Sequence, residues 1–107
     1  AVRNRYRLAV TTGYGPRFLH STGQLHKGDA GRGRFVQVTA DDLRDAVIPD
    51  EMDGPGGAVT FGTLKRAQAA GDGEALRKAG RPIVRFHFVR DAAAGIEALA
   101  AALREAP

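Results

Sequence analysis

The sequence predicts an α/β fold, a small three-layer sandwich around a mostly parallel sheet of about three strands. Three observations predict it. Stretches with the period of two that is typical of strands alternate with longer stretches that are typical of helices. Glycine or proline stands at most of the changes between them. The chain has 107 residues, 43% of them hydrophobic, which suits one compact domain over residues 1–107.

Three segments are predicted to be strands. The first alternates, so that Tyr6, Leu8 and Val10 share one face. The third is the most apolar. A sheet of three strands has exposed edges, so we expect a neighbouring domain or subunit to continue it or cover it. The three predicted strands are residues 5–11, residues 35–39 and residues 83–89.

Helices are predicted between and after these strands. The first covers residues 16–27 and stops at Gly28. Thr60 caps the next, which Gly71 ends. Asp72 caps another short helix, which Gly80 ends.

The last helix is capped by Asp91. Residues 41–45 are expected to form a short turn of helix, and residues 49–57 a surface loop, because that stretch carries two prolines and three glycines. The side chains expected to face the core from the helices after Thr60 and Asp91 are Phe61, Leu64, Ile96, Leu99 and Leu103.

Composition narrows the classes of function. The net charge is +4, and arginine outnumbers lysine, which suits two-point binding of phosphates or carboxylates. The basic residues are scattered, without a dense basic helix or a zinc-finger spacing, so nucleic acid is not expected as a partner. The chain has no cysteine, which excludes disulfides and thiolate metal sites.

The sequence also leads to expectations about where the protein is located in the cell and whether the chain is part of a longer one. No run of about 18 apolar residues occurs, so no membrane partner is expected. No charged-then-apolar leader points to secretion, and we expect a cytoplasmic protein. The chain begins at Ala1, just before a predicted strand, so we expect a piece of a longer polypeptide.

The segment with the most chemical content is residues 13–28, GYGPRFLHSTGQLHKG. It lies where the carboxyl end of a predicted strand passes into a helix, the place where ligands bind in open α/β sheets. The start of a helix favours an anion such as phosphate. Gly13 and Gly15 would let a ligand approach the backbone closely.

One face of this predicted helix carries polar side chains that suit a phosphorylated sugar. At about 100° per residue, Arg17, His20, Gln24 and Lys27 fall together. An imidazole can move protons near neutral pH, an amide both donates and accepts, and the two cations can hold phosphate. The same pattern also fits an ordinary solvated polar face.

The other titratable residues are weaker candidates. His26 lies near the end of the helix, where it can interact with terminal carbonyls. His87 is expected to be packed or hydrogen-bonded in its strand rather than catalytic. The histidine spacings form no zinc motif, and the acidic residues 41–45 match a calcium loop only superficially.

Three stretches of the chain are similar to one known family. Residues 10–28 read VTTGYGPRFLHSTGQLHKG, residues 35–42 read FVQVTADD and residues 60–69 read TFGTLKRAQA. In order and spacing they resemble the phosphoglucose isomerase portion of bifunctional transaldolase/glucose-6-phosphate isomerases. The resemblance covers nearly the whole chain; the first stretch is specific, and the last helix is not.

The resemblance implies the second of two sugar-isomerase (SIS) subdomains. The implied reaction interconverts glucose 6-phosphate and fructose 6-phosphate by ring opening and an enediolate, without a metal or redox cofactor. It implies that His20 assists ring opening. The implied partners are the sugar phosphate, the first sugar-isomerase subdomain, a transaldolase domain and a second copy in a homodimer.

The chain departs from the family pattern in several places. The Ser/Thr-rich phosphate loop and the proton-shuttling glutamate belong to the part that would precede it. Of the usual C-terminal motif only residues 95–97 remain, and Ala93 and Ala100 stand where a glutamine and a lysine would be. Gln24 and Lys27 are natural substitutes for them.

Two further hypotheses stay open. The chain could be a stand-alone sugar-phosphate-binding or regulatory module without catalysis, which micromolar binding of a sugar phosphate to the isolated chain would favour. It could also be a basic interaction domain, which a strongly salt-dependent affinity for nucleic acid would favour. As an isomerase fragment, the chain alone is expected to be inactive.

Overall fold

The fold is α/β, as a computed structural model of the chain shows, with helices and small strands mixed along the sequence. The structure describes residues 2–15, 24–51, 54 and 56–106. In chain order the elements are α1 (Val2–Tyr6), α2 (Leu25–Gly28), β1 (Phe35–Ala40), β2 (Val47–Pro49), β3 (Gly56–Thr60), α3 (Phe61–Lys78), β4 (Ile83–Phe88) and α4 (Ala92–Glu105).

The described strands form two sheets of two strands each. β1 and β4 are parallel, in register from Phe35 opposite Ile83 to Ala40 opposite Phe88. β2 and β3 form an antiparallel hairpin. The α/β class is therefore confirmed, and so is the parallel pairing of the second and third predicted strands. The described residues do not form the single sheet of three strands that was expected at the centre of a three-layer sandwich.

The predicted strand over residues 5–11 is wrong for this structure. Residues 2–6 are helical, and residues 7–14 belong to neither helix nor strand. An alternating pattern is stable as a strand only when a neighbouring strand pairs with it, and no described strand does so here. Most of the first predicted helix, residues 16–23, lies outside the described residues; α2 is its described end and stops at Gly28 as predicted.

Residues 60–80 form one helix where two were predicted. Thr60 caps α3 as expected, because its hydroxyl accepts the Thr63 N–H at 3.0 Å. The helix then continues through Gly71 and Asp72 to Lys78. Glycine weakens a helix without ending it, so the break predicted at Gly71 is wrong. The end predicted at Gly80 is confirmed, and that residue has the left-handed φ of +70° that favours glycine.

Two shorter predictions also need correction. Residues 41–45 form bends rather than a turn of helix, because Asp45 uses its side chain to accept the backbone N–H of Ala46 and of Gly62. The loop expected over residues 49–57 is shorter, since β2 and β3 include both of its ends. The Asp91 cap of α4 is confirmed: its carboxylate accepts the Ala94 N–H at 3.0 Å.

The buried interior is small. Among the described residues only Leu76 is a buried hydrophobic side chain, and Asp72 is a buried charged one. Of the side chains expected to face the core, Leu99 is half-buried, and the others are between 41% and 56% exposed: Phe61, Leu64, Ile96 and Leu103. The burial expected for those four side chains is wrong in this structure. On α3, the sheet side of the helix meets the polar side chains of Gln37 and Arg85 instead.

We expect Gly71→Ala to stabilise the chain by about 0.5–1 kcal/mol, because alanine has the higher helix propensity. A methyl group at Gly71 would have no heavy atom within 4 Å. Urea unfolding followed by circular dichroism measures the change. Destabilisation by the variant would contradict a continuous α3 and favour the break at Gly71.

None of the helices in the described part of the chain combines the length and the apolar character that crossing a membrane requires.

Candidate functional site

Three polar side chains meet at the carboxyl ends of the parallel strands β1 and β4. Thr39 and His87 are cross-strand neighbours, and Thr39 Oγ1 lies 2.9 Å from His87 Nδ1. The other ring nitrogen, Nε2, lies 3.1 Å from Asp41 Oδ1. His87 and Asp41 are 44% and 51% exposed, so solvent or a ligand can reach them. We call these three residues the carboxyl-edge cluster.

The cluster holds the His87 imidazole in one orientation. The Asp41 carboxylate accepts a hydrogen bond from the Nε2–H group. The Thr39 hydroxyl, which also lies 3.4 Å from the Phe86 carbonyl oxygen, can donate to or accept from Nδ1. The ring therefore keeps a hydrogen-bond partner at both nitrogens in its neutral and its protonated form.

A second group of charged side chains lies near the first turns of α3. Asp42 Oδ1 accepts from Lys65 Nζ, and Asp42 Oδ2 lies 3.7 Å from Arg66 Nη1. That Oδ2 atom is buried and accepts no hydrogen bond from the described residues. Arg44 and Phe61 line a cleft of about 240 Å³ together with Asp42 and Lys65.

The Asp45 carboxylate stabilises the first turn of α3. Its Oδ1 accepts the Gly62 N–H at 2.8 Å, at the positive end of the helix dipole. The Thr60 hydroxyl, followed by the Gly62 and Ala46 N–H groups, lowers the pKa of Asp45 below its ordinary value of 3.8. The carboxylate is therefore ionised at neutral pH, and the stability that it contributes is lost only as the pH falls below that value.

Polar side chains also fill the space between the sheet and the middle of α3. Gln37 Nε2 and Arg85 Nη2 both donate to the Ala69 carbonyl oxygen, at 2.9 and 3.1 Å, and Arg85 Nε donates to Gln37 Oε1 at 2.8 Å. Gly73 lets the two side chains approach, because a Cβ there would lie 2.7 Å from Arg85 Nη2. One face of β1 and β4 is thus polar along much of its length.

The described end of the resembling segment is attached at the opposite, amino end of the strands. Lys27 Nζ lies 2.9 Å from Oδ1 of the buried Asp72. Arg81, which precedes β4, donates to the Asp29 carbonyl oxygen at 2.6 Å and pairs with its carboxylate at 3.0 Å. The Gly31 N–H is the main group that lowers the pKa of Asp29, with Arg81 and the Gly33 N–H adding to it.

The structure describes four of the six predicted site residues. Arg17 and His20 lie outside the described residues. Gln24 is exposed just before α2, and Lys27 is engaged with Asp72. Gly13 and Gly15 lie in the exposed stretch after α1.

Sequence reasoning undervalued the carboxyl-edge cluster. The hydrogen bonding predicted for His87 is confirmed, but its partners are 48 and 46 residues away in the chain and were not identified. The available signal was positional: Thr39 and Asp41 are two residues apart at the end of one strand, and His87 stands near the end of the other. Within the described residues, no group of three His, Asp or Glu side chains could hold a metal ion.

Comparison with known proteins identified no relative of this chain. No protein-family model, curated protein or solved structure matches it.

Proposed function

We propose that this chain is the second sugar-isomerase subdomain of a cytoplasmic glucose-6-phosphate isomerase, of the kind fused to transaldolase. Residues 10–28 carry the proposal, because their sequence is the specific part of the resemblance. In the complete enzyme the subdomain would be a three-layer α/β sandwich that contributes one side of the active site. The first subdomain would supply the phosphate-binding loop and the base.

The chemistry of the carboxyl edge supports this proposal. Ligands of open α/β sheets bind beyond the carboxyl ends of the strands. At that end the chain carries the half-buried Thr39 and the exposed Asp41 and His87. Their hydroxyl, carboxylate and imidazole groups suit a hydroxyl-rich ligand.

The incomplete packing supports a role as part of a larger assembly. The chain exposes 8524 Å² of surface, whereas a compact monomer of this mass exposes about 5,700 Å². Its radius of gyration is 16.4 Å, against about 13 Å for a compact chain of this length. A subdomain that packs against another would expose excess surface of this kind when alone.

The roles proposed for the site residues follow from the reaction. In ring opening the bond from C1 to the ring oxygen breaks, the ring oxygen gains a proton and the C1 hydroxyl loses one. The His20 imidazole suits both transfers. Arg17 and Gln24 would bind phosphate and hydroxyl groups, and Gly13 and Gly15 would admit the substrate to the backbone.

Lys27 has a different proposed role from the one first expected. Its ammonium group pairs with Asp72, so it ties the end of the segment that contains His20 to α3. We therefore propose that Lys27 holds this segment in position.

The test is an isomerase assay on two proteins, the chain alone and the polypeptide that carries it together with the sequence encoded upstream. We expect no turnover of glucose 6-phosphate by the first and measurable turnover by the second. His20→Ala in the longer protein is expected to lower kcat by about 10²–10⁴-fold, the range typical of a lost general acid or base.

His26→Gln is the matched control, since it changes a histidine of the same segment that contacts Phe35. Its kcat is expected to stay within a few-fold of the parent. An inactive longer protein, or a His20→Ala variant as active as the parent, would refute the proposal. Micromolar binding of glucose 6-phosphate by the chain alone, without turnover by either protein, would instead favour the stand-alone binding module.

A further inference from the structure

The carboxyl-edge cluster is a continuous chain of hydrogen-bonding groups that runs from a hydroxyl through an imidazole to a carboxylate. Thr39 Oγ1 lies 2.9 Å from His87 Nδ1, and His87 Nε2 lies 3.1 Å from Asp41 Oδ1. Both distances fall within the range of about 2.6–3.2 Å over which a base reaches the proton that it removes. A hydroxyl, an imidazole and a carboxylate in this order are the groups that activate a nucleophile for acyl transfer.

Two paired strands hold these groups in place. Thr39 and His87 are opposite each other in the parallel register of β1 and β4. The Asp41 N–H donates to the Phe88 carbonyl oxygen at 3.0 Å, which extends the strand pairing one residue beyond β1 and fixes the backbone that carries the carboxylate. Groups carried by paired strands keep their geometry better than groups carried by loops. The cluster is therefore organised before any ligand binds.

The Asp41 carboxylate determines which ring nitrogen carries the proton. An ionised carboxylate only accepts hydrogen bonds, so the Nε2 atom that faces it carries the proton of the neutral ring. Nδ1 then has a free lone pair, and the Thr39 hydroxyl beside it donates to that lone pair. Nδ1 is thus placed to remove the Thr39 proton, and the imidazolium that results stays hydrogen-bonded to Asp41.

A small ligand can reach the cluster from solvent. His87 and Asp41 are 44% and 51% exposed, and Thr39 is half-buried. Ligands of open α/β sheets bind beyond the carboxyl ends of the strands, where all three residues lie. The half-buried secondary hydroxyl of Thr39 suits a small acyl group, and the exposed side of the His87 ring leaves room for a leaving group.

We propose that Thr39 accepts acyl groups from small esters, with His87 as its base and Asp41 as the positioning residue. The Thr39 oxygen attacks the ester carbonyl carbon, a new C–O bond forms, and the hydroxyl proton passes to His87 Nδ1. The C–O bond to the alcohol then breaks, and the departing alcohol takes that proton. Water hydrolyses the threonine ester by the same steps, which release the carboxylic acid and restore the hydroxyl.

Mass spectrometry of the chain after exposure to p-nitrophenyl acetate tests the acyl transfer. We expect an acetyl group on Thr39, located by fragmentation of the peptide that contains it. The adduct should accumulate, because p-nitrophenolate leaves more readily than the threonine alkoxide does. The chain has no cysteine to compete for the acetyl group. Hydroxylamine should remove the acetyl group from Thr39, since it cleaves esters of this kind and leaves the amides formed by lysine side chains.

Variants of the nucleophile and the base separate this reaction from background acetylation. Thr39→Val removes the hydroxyl and keeps a β-branched side chain that suits a strand, so it should abolish the adduct, whereas Thr39→Ser should retain it. His87→Gln is expected to slow acetylation of residue 39 by about 10²–10⁴-fold, the contribution typical of a general base. His26→Gln is the matched control, because that imidazole faces Phe35. Its rate should stay within a few-fold of the parent.

The role of Asp41 is tested by the position of the proton on His87. Long-range proton–nitrogen NMR distinguishes the two neutral tautomers, and at about pH 9, where imidazoles are neutral, we expect the proton on Nε2. Asp41→Asn is expected to slow acetylation of Thr39 at least about 10-fold, because an amide can donate to Nε2 and leave the proton on the wrong nitrogen. The midpoint of urea unfolding should not change, which distinguishes positioning of the ring from a purely structural role.

Three results would each overturn the proposal. They are the absence of an acetyl group on Thr39, equal rates of Thr39 acetylation in the parent and in His87→Gln, and a neutral His87 ring protonated at Nδ1. In each case the cluster would only tie the ends of β1 and β4 together. The acyl transfer uses described residues of this chain alone and does not rest on the proposed function. Isomerase turnover is measured separately on the longer protein, so failure of one proposal is distinguishable from failure of the other.

Discussion

Leu76→Ala is expected to lower the free energy of unfolding by about 3 kcal/mol. Leu76 is 2% exposed and is the one buried hydrophobic side chain among the described residues. Truncation of a buried leucine removes its transfer free energy and leaves a cavity, and the two together cost about 2–5 kcal/mol. A domain of this length has about 5–15 kcal/mol of stability in total, so this single change should remove a large fraction of it.

Urea unfolding followed by circular dichroism measures the loss, with Leu64→Ala as the matched control on the same helix. Leu64 is 41% exposed, and its truncation is expected to cost less than about 1 kcal/mol because little apolar surface leaves the interior. Equal losses from the two variants would show that α3 does not bury Leu76 in preference to Leu64.

Local signals in this sequence predicted local structure well. The caps at Thr60 and Asp91 are hydrogen bonds to an N–H only three residues away, so the residue type and its position are enough to predict them. The apolar strands β1 and β4 were also predicted, because residues of that composition are strands in most surroundings. The helix end predicted at Gly71 was wrong because glycine occurs both at helix ends and within helices. The sequence alone does not distinguish the two cases, which depend on how the surrounding residues pack.

Long-range contacts could not be predicted from the sequence. Asp41 and His87 are 46 residues apart, and their meeting depends on the parallel register of β1 and β4, which no local pattern encodes. The strand predicted for residues 5–11 failed for the same reason, since a strand needs a partner and the sequence does not say which edge is available. The sequence shows which chemical groups the site residues carry, but it does not show which of these residues lie together in the fold.

Lys27→Met is expected to lower the free energy of unfolding by about 2–3 kcal/mol. The Asp72 carboxylate is 4% exposed and lies 2.9 Å from Lys27 Nζ. Removing one partner of a buried ion pair leaves a charge in a medium that solvates it poorly, which costs about 3–5 kcal/mol when both groups are buried. Lys27 is 28% exposed, so water that enters in its place can partly solvate the Asp72 carboxylate. The expected loss of stability is therefore at or below the lower end of that range.

Lys78→Met is the matched control, because Lys78 pairs with Glu74 at 2.7 Å on the exposed surface of α3. Exposed pairs of this spacing contribute about 0.3–0.5 kcal/mol, and 0.5 M salt should screen that contribution while leaving most of the Lys27 effect. The double variant Lys27→Met, Asp72→Leu should recover most of the loss, since apolar replacement of both partners removes the buried charge. If Lys27→Met cost no more than Lys78→Met, the pair of Lys27 with Asp72 would not hold α2 against α3.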